Sequence, residues 1–172
     1  MIDINPKSIG LIIKVILIVI YGCDFALLLT WKLIDINRSK KFVKLSEKEV
    51  DRLEGATFEQ YLRAVFKYSG YTVRHTGGTG DFGADLILYK EGKKTVVQAK
   101  QSKAKVGVKA VQQVMGAMNY YNCKSALVVT NNSYTAAAKK LASSSKGVEL
   151  WDGKRLKGEV DMIKRRNRNL EC

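Results

Sequence analysis

From Leu11 to Ile34 the chain is dominated by Ile, Leu, Val, Phe and Trp, broken by the charges of Lys14, Asp24 and Lys32. A helix lying on a globular core shows an apolar stripe. Ile12–Ile20 has almost no stripe, being apolar all round apart from Lys14. A bilayer-spanning helix needs about 20 largely apolar residues. Asp24 costs such a helix about 3 kcal/mol, and the Val, Ile, Leu and Phe residues between Val15 and Leu29 return about 3 to 6 kcal/mol. The run is long for a signal peptide and no small-x-small cleavage site follows it. These features lead to the expectation of one uncleaved transmembrane helix over residues 9–34. Lys32, Arg38, Lys40, Lys41, Lys44 and Lys48 follow the run, against Lys7 before it. The positive-inside rule then places the C-terminal part in the cytoplasm, on a single-pass membrane protein.

Residues 35–52 read as a charged connection, residues 53–156 as one ordinary domain and residues 157–172 as a basic tail. Of the net charge of +14, residues 1–34 contribute little, since they hold three basic and two acidic side chains. So large an excess of Lys and Arg on one domain implies a polyanionic partner, nucleic acid or an anionic lipid surface. Two clusters stand out: Lys100, Lys103, Lys105 and Lys109, then Lys164, Arg165, Arg166 and Arg168. Cys23, Cys123 and Cys172 are scattered and odd in number, which suggests no disulfide framework and fits a reducing compartment. There is no internal repeat.

Within the domain the periodicity alternates. Phe58, Tyr61, Leu62, Val65 and Phe66 fall on one helical face. Strands follow at Thr72–Arg74, Leu86–Lys90 and Thr95–Gln101. Val106–Tyr121 reads as a helix, Ala126–Thr130 as a buried strand, Asn132 or Ser133 to Ala142 as a helix, and Val148–Trp151 as a strand. This order predicts an α/β fold, a mixed sheet with helices on both faces.

The chemistry concentrates in one hairpin. Leu86–Tyr89 and Thr95–Val97 flank a polar turn. With Glu91-Gly92 as a two-residue turn, Asp85 lies opposite Gln98; with a four-residue turn over Glu91–Lys94, it lies opposite Lys100. Side chains alternate along a strand, so Gln98 and Lys100 share a face in either register and Asp85 joins them. An acid, an amide and a lysine meeting at one hairpin end suit phosphodiester cleavage. A carboxylate binds a divalent metal, which neutralises phosphate and lowers the pKa of a bound water. A lysine beside it stabilises developing charge or orients the water. The plain alternative is a solvated strand face.

Glu59 is a further candidate. Thr57 reads as an N-cap with Gln60 three residues on, which puts Glu59 in the first turn, where the helix dipole favours a carboxylate. Asp81 stands in a glycine-rich loop (Gly77, Gly78, Gly80, Gly83) as an outer acid of the site or a simple turn residue. That loop lacks the Gly-Lys-Ser/Thr ending of a phosphate loop, and a strand follows where a helix is required. His75 is the only histidine, which disfavours a zinc site and leaves it as a polar residue at a strand end.

The run Thr76-Gly77-Gly78-Thr79-Gly80-Asp81-Phe82-Gly83-Ala84-Asp85, followed by Val97-Gln98-Ala99-Lys100, resembles the Mrr-type restriction endonuclease domain of the PD-(D/E)xK nuclease superfamily. The likeness extends to Phe58-Glu59 and Gly70-Tyr71 upstream. Downstream it reaches Val106–Gln113, Val129-Thr130-Asn131 and Ala136–Ala138. The resemblance implies a restriction-endonuclease-like fold. It also implies that Asp85 binds Mg²⁺ (or Mn²⁺) with help from Gln98 and the Ala99 carbonyl, that Lys100 is the catalytic lysine, and that Glu59 can point into the site. Gln98 departs from the superfamily's usual Asp or Glu, though Gln is the usual form in the Mrr branch.

The expected function is a membrane-anchored, metal-dependent endonuclease on double-stranded DNA, with Lys103, Lys105 and Lys109 on phosphates. Two other classes remain: a catalytically weak or inactive membrane-tethered DNA-binding module, and a basic membrane-associated scaffold. The sequence does not fix the oligomeric state, a dimer being one option.

Overall fold

The computed structural model describes residues 6–76 and 82–170, with side chains from Val19 to Asn169. The chain divides into two compact units, residues 1–38 and 39–172.

The first unit is helical. Helix α1 runs over Pro6–Lys44, its last turns belonging to the second unit. Its large apolar side chains are uncovered: Tyr21 and Leu28 are 69% exposed and Trp31 71%. The transmembrane helix expected over 9–34 is not supplied by the described part. Among the described residues no helix is long and apolar enough to cross a membrane. Of the expected stretch, the side chains of residues 9–18 lie outside the described residues.

The second unit follows the α/β reading. After a single turn α2 (Glu47–Val50), capped by a reciprocal Ser46–Glu49 box, come α3 (Gly55–Tyr68), β1 (Thr72–His75), β2 (Leu86–Lys90), β3 (Lys93–Lys100), α4 (Val108–Tyr120), β4 (Ser125–Thr130), α5 (Ala136–Ser144), β5 (Val148–Trp151) and α6 (Gly153–Leu170). The five strands lie in sequence order, β1-β2-β3 antiparallel and β3-β4-β5 parallel.

Alternation sorts the side chains into two cores. Leu86, Leu88, Val97, Leu127 and Val129 pack with Phe58, Leu62 and Phe66 of α3 and Val160 and Ile163 of α6. Ile87, Val96, Ala126 and Val128 pack with Val111 and Val114 of α4 and Ala138 of α5. Burying each large aliphatic or aromatic side chain contributes about 1.5–3 kcal/mol.

Three local expectations change. Glu54, not Thr57, is the N-cap of α3, so Glu59 lies beyond the first turn and the dipole does not account for it. Helix α5 is capped by Thr135, whose hydroxyl accepts from Ala138 N–H at 3.2 Å. Asn132 and Ser133 are engaged with each other and with Thr130 instead. Of the stretch expected as a basic tail, residues 157–170 lie in α6, whose Leu156, Val160 and Ile163 repeat at helical spacing and are buried.

The fold brings one set of ends together. His75, Leu86, Lys100, Thr130 and Trp151 mark the same end of the sheet. The N-terminal half of α3 reaches it as well, since Glu59 touches His75.

Candidate active site

The β2–β3 turn selects between the two registers. Glu91 and Gly92 both have positive φ, 50° and 72°, the backbone of a two-residue I′ hairpin turn. Tyr89 therefore pairs with Lys94 and Leu86 with Val97, which by count puts Asp85 opposite Gln98.

The ladder does not continue that far. Asp85 N–H donates to Val97 O at 2.9 Å, although Val97 is already the register partner of Leu86. Two consecutive residues thus face one, as in a β-bulge, a device that re-aims a side chain. The re-aimed group is the Asp85 carboxylate: Oδ2 accepts from Ala99 N–H at 2.7 Å. Simple alternation puts Asp85 on the face of Gln98, and its carboxylate is held by the backbone N–H between Gln98 and Lys100. The end of β1 braces this bend. Thr76 N–H donates to Asp85 O at 3.1 Å, and Thr76 Oγ1 donates to Ala84 O.

Gln98 keeps the face of Val96, towards α4, and is 2% exposed. A side chain on Gly83 would meet Gln113 of α4 and Gln98 Nε2, and Gly83 has φ +83°. Only glycine takes that backbone without strain while leaving the amide its space. Gln98 Oε1 is buried and has no hydrogen-bond partner among the described residues. An orphaned buried acceptor costs about 1–3 kcal/mol. Lys100, half-buried, is the register partner of Thr130 at the end of β3.

Glu59 Oε2 and His75 Nε2 lie 3.1 Å apart, with the Glu59 side chain 26% exposed. His75 pairs with Leu86, the neighbour of Asp85, so this carboxylate stands at the site's end of the sheet. Sequence reasoning places His75 as a polar residue at a strand end, and it is the last residue of β1; its contact with Glu59, 16 residues away in the chain, carries no sequence signal. Asp81 lies outside the described residues.

Lys103, Lys105 and Lys109 are exposed along the loop from β3 into the first turn of α4. An Asn-rich network ties the same strand ends together. Ser102 N–H donates to Asn131 Oδ1 at 2.8 Å, and Asn131 Nδ2 donates to Asp51 Oδ1 at 3.0 Å. Beside it opens a cavity of about 820 Å³ bordered by Tyr61, Ser102, Lys103, Asn131 and Asp152. Burial first, then the Asp161 charge, raise the Tyr61 phenol well above its ordinary pKa, so it is a neutral wall. Burial likewise dominates at Tyr134, whose hydroxyl sits 2.7 Å from Val128 O and 3.1 Å from Trp151 O.

Among the described residues, no three or more His, Cys, Asp or Glu side chains are grouped to hold a metal ion. The donors at hand are one carboxylate and one orphaned amide oxygen, with the Ala99 carbonyl on the same strand. Oxygen-only donors suit a hard divalent cation such as Mg²⁺, which keeps several of its waters and takes few protein ligands. A carboxylate has about four lone-pair sites, and the Ala99 N–H takes one of those of Asp85. The residues therefore fit the ion that the motif implies.

The fold, a five-stranded mixed sheet flanked by helices, is that of a restriction-endonuclease-like α/β domain. The restriction endonuclease family model Mrr_cat matches residues 50–160, more than half of the chain, and the chain belongs to that family. It is similar to the type IV methyl-directed restriction enzyme EcoKMrr of Escherichia coli (strain K12), at 36% identity over 94 residues, covering 52% of this chain and 31% of the enzyme. It is also 27% identical over 100 residues to an uncharacterized mitochondrial protein, C824.03c, of Schizosaccharomyces pombe, covering 54% of this chain and 40% of that protein. The chain thus spans well under half the length of these relatives. Among solved structures, the DNA modification-dependent restriction endonuclease AspBHI shares the fold, with TM-score 0.54 and 14% identity over 76% of this chain and 40% of that one.

Proposed function

We propose that the second unit is a restriction-type endonuclease domain that hydrolyses phosphodiester bonds in double-stranded DNA with Mg²⁺, Mn²⁺ being able to replace it. The observation that carries this reading is the orphaned Gln98 Oε1 on the strand segment that also holds the Asp85 carboxylate. Family membership agrees with it.

Asp85, Gln98 Oε1 and the Ala99 carbonyl would hold the cation. When bound there it supplies charge neutralisation at the phosphate and a water of lowered pKa. The protein's own groups do the rest. The Ala99 N–H fixes the Asp85 carboxylate in one orientation. Lys100 donates to the attacked phosphate or to the attacking water, where charge develops. Glu59, steadied by His75, completes the acidic side of the site. Lys103, Lys105 and Lys109 hold duplex phosphates, fixing register without reading sequence. The test is incubation of supercoiled plasmid with the protein and Mg²⁺, Mn²⁺ or chelator. The name of the Escherichia coli relative is methyl-directed, so modified and unmodified plasmid belong side by side.

A second reading, a DNA-binding module of weak or no catalysis, is favoured by one observation: the second-acid position holds a neutral amide, which binds a hard cation less tightly than a carboxylate. DNA binding without metal-dependent nicking selects it.

We propose further that residues 9–34 anchor the chain in a membrane, with the second unit on the cytoplasmic side. Supporting this is the run of uncovered apolar side chains Tyr21, Phe25, Leu28 and Trp31 on α1. Carbonate-resistant fractionation with membranes is the outcome expected; recovery of the full chain in the supernatant contradicts it.

A further inference from the structure

The second unit carries a basic groove at the end of the sheet opposite Asp85. Its volume is about 850 Å³ and its walls hold five cations, Lys40, Lys44, Lys164, Arg165 and Arg168, against one carboxylate, Asp161. Tyr68, the last residue of α3, borders it. Helix α3 runs from Glu59 at the catalytic end to Tyr68 at the far end, and α6 leaves the catalytic end at Gly153 and arrives beside Tyr68. Arg166 donates to Tyr68 O, and Lys164 Nζ donates to Leu45 O at 3.3 Å. The cations are thus set on two packed helices.

Lys40, Lys44, Arg165 and Arg168 are exposed, and none forms a salt bridge among the described residues. Lys40 and Lys44 stand four apart on α1, and Lys164 and Arg168 four apart on α6, so each pair repels its own helical neighbour. Bringing the two pairs to one groove adds repulsion that an anionic partner relieves.

Two polyanions could serve, duplex phosphates or lipid headgroups. The position favours lipid. Duplex held at the catalytic end meets Lys103, Lys105 and Lys109, which lie at the other end of the sheet from this groove. Lys40 and Lys44 instead continue the helix whose apolar run ends at Ile34. Basic residues immediately after a membrane segment are where anionic headgroups are met. We infer that this groove binds the headgroups of anionic phospholipids at a membrane surface. The inference rests on the anchoring reading above, deepening it from an apolar anchor to a lipid-selective one.

The test is flotation of the full chain with vesicles of phosphatidylcholine alone and of phosphatidylcholine mixed with phosphatidylglycerol, at low and high salt. The variants are Lys40→Gln/Arg165→Gln/Arg168→Gln and, as control, Lys103→Gln/Lys105→Gln/Lys109→Gln. Wild type should float in excess with the anionic vesicles, the excess falling with salt. The groove variant should lose about tenfold or more of that excess, at about fivefold per cation near the surface, with circular dichroism unchanged. The control should keep it. No preference for anionic vesicles, or a preference the groove variant retains, overturns the inference. So does a groove variant that loses duplex binding while keeping lipid binding. Failure to float with phosphatidylcholine alone, with the salt-sensitive anionic excess intact, removes the apolar anchor and leaves the groove standing.

Discussion

Ala99 donates its backbone N–H to Asp85 Oδ2 at 2.7 Å, so a strand's main chain, not another side chain, sets the orientation of the site's principal carboxylate. The bond exists because β2 bulges at Asp85, whose own N–H goes to Val97. It aligns the acid with the segment Gln98–Lys100 and leaves Gln98 Oε1 buried without a partner among the described residues.

That orphan should make Gln98 a trade between stability and metal. Gln98→Leu removes a buried unsatisfied acceptor and should raise stability by about 1–3 kcal/mol. The same change should weaken Mg²⁺ binding by about tenfold or more, a loss of the size seen when outer metal-site partners are removed. Gln98→Glu should tighten it, by adding a charged oxygen donor. Urea denaturation and calorimetric titration with Mg²⁺ read the two effects. A Leu variant that binds Mg²⁺ as wild type does would place the cation elsewhere.

Gly83 should tolerate no side chain. At φ +83° an alanine is strained, and its Cβ would fall 2.9 Å from Gln113 Cβ and 3.3 Å from Gln98 Nε2. Gly83→Ala should cost at least about 1 kcal/mol from the left-handed backbone alone, and cleavage should fall as Gln98 is displaced. Thermal melting together with plasmid nicking checks both.

Glu59 and His75 separate catalysis from stability. Their pair is partly exposed, so breaking it should cost only about 0.2–1 kcal/mol. Glu59→Gln should nonetheless reduce cleavage clearly, with duplex binding retained. A double-mutant cycle with His75→Ala, read in denaturant and in cleavage rate, distinguishes the two. Equal cleavage by wild type and Glu59→Gln would make the pair a surface contact only.

Much of this was legible in the residues. The face Phe58, Tyr61, Leu62, Val65 and Phe66 gave α3, and the order of helices and strands gave a mixed sheet flanked by helices. The hairpin left two registers open because Glu91-Gly92 and Glu91–Lys94 are both acceptable turns; only the backbone dihedrals separate them. The bulge at Asp85 was hidden for a related reason: alternation assumes a regular ladder, and no residue type announces that two residues will share one partner. The start of α3 was misplaced because Thr57 is a better capping residue than Glu54, yet tertiary packing begins the helix at Gly55. The basic residues of α6 obscured Leu156, Val160 and Ile163, whose spacing marks a packed helix.

The lysines after β3 should report on phosphate binding. Neutralising Lys103, Lys105 and Lys109 together should lower the slope of log K against log salt by about 0.9 for each phosphate the protein no longer neutralises. Binding to unrelated duplexes should weaken alike, since phosphate contacts carry no sequence information. Fluorescence anisotropy across a salt series measures it. An unchanged slope would move the DNA path away from this loop.

The most direct test of the account is cleavage of supercoiled plasmid by wild type, Asp85→Asn and Lys100→Ala, with Mg²⁺ and with chelator. Wild type should nick only with metal. Asp85→Asn should lose cleavage because a neutral amide cannot supply the charge that holds a hard cation. Lys100→Ala should lose cleavage while keeping metal and duplex binding. If both variants cut at the wild-type rate, the end of the β2–β3 hairpin is not the active site, and its polar residues are a solvated strand end.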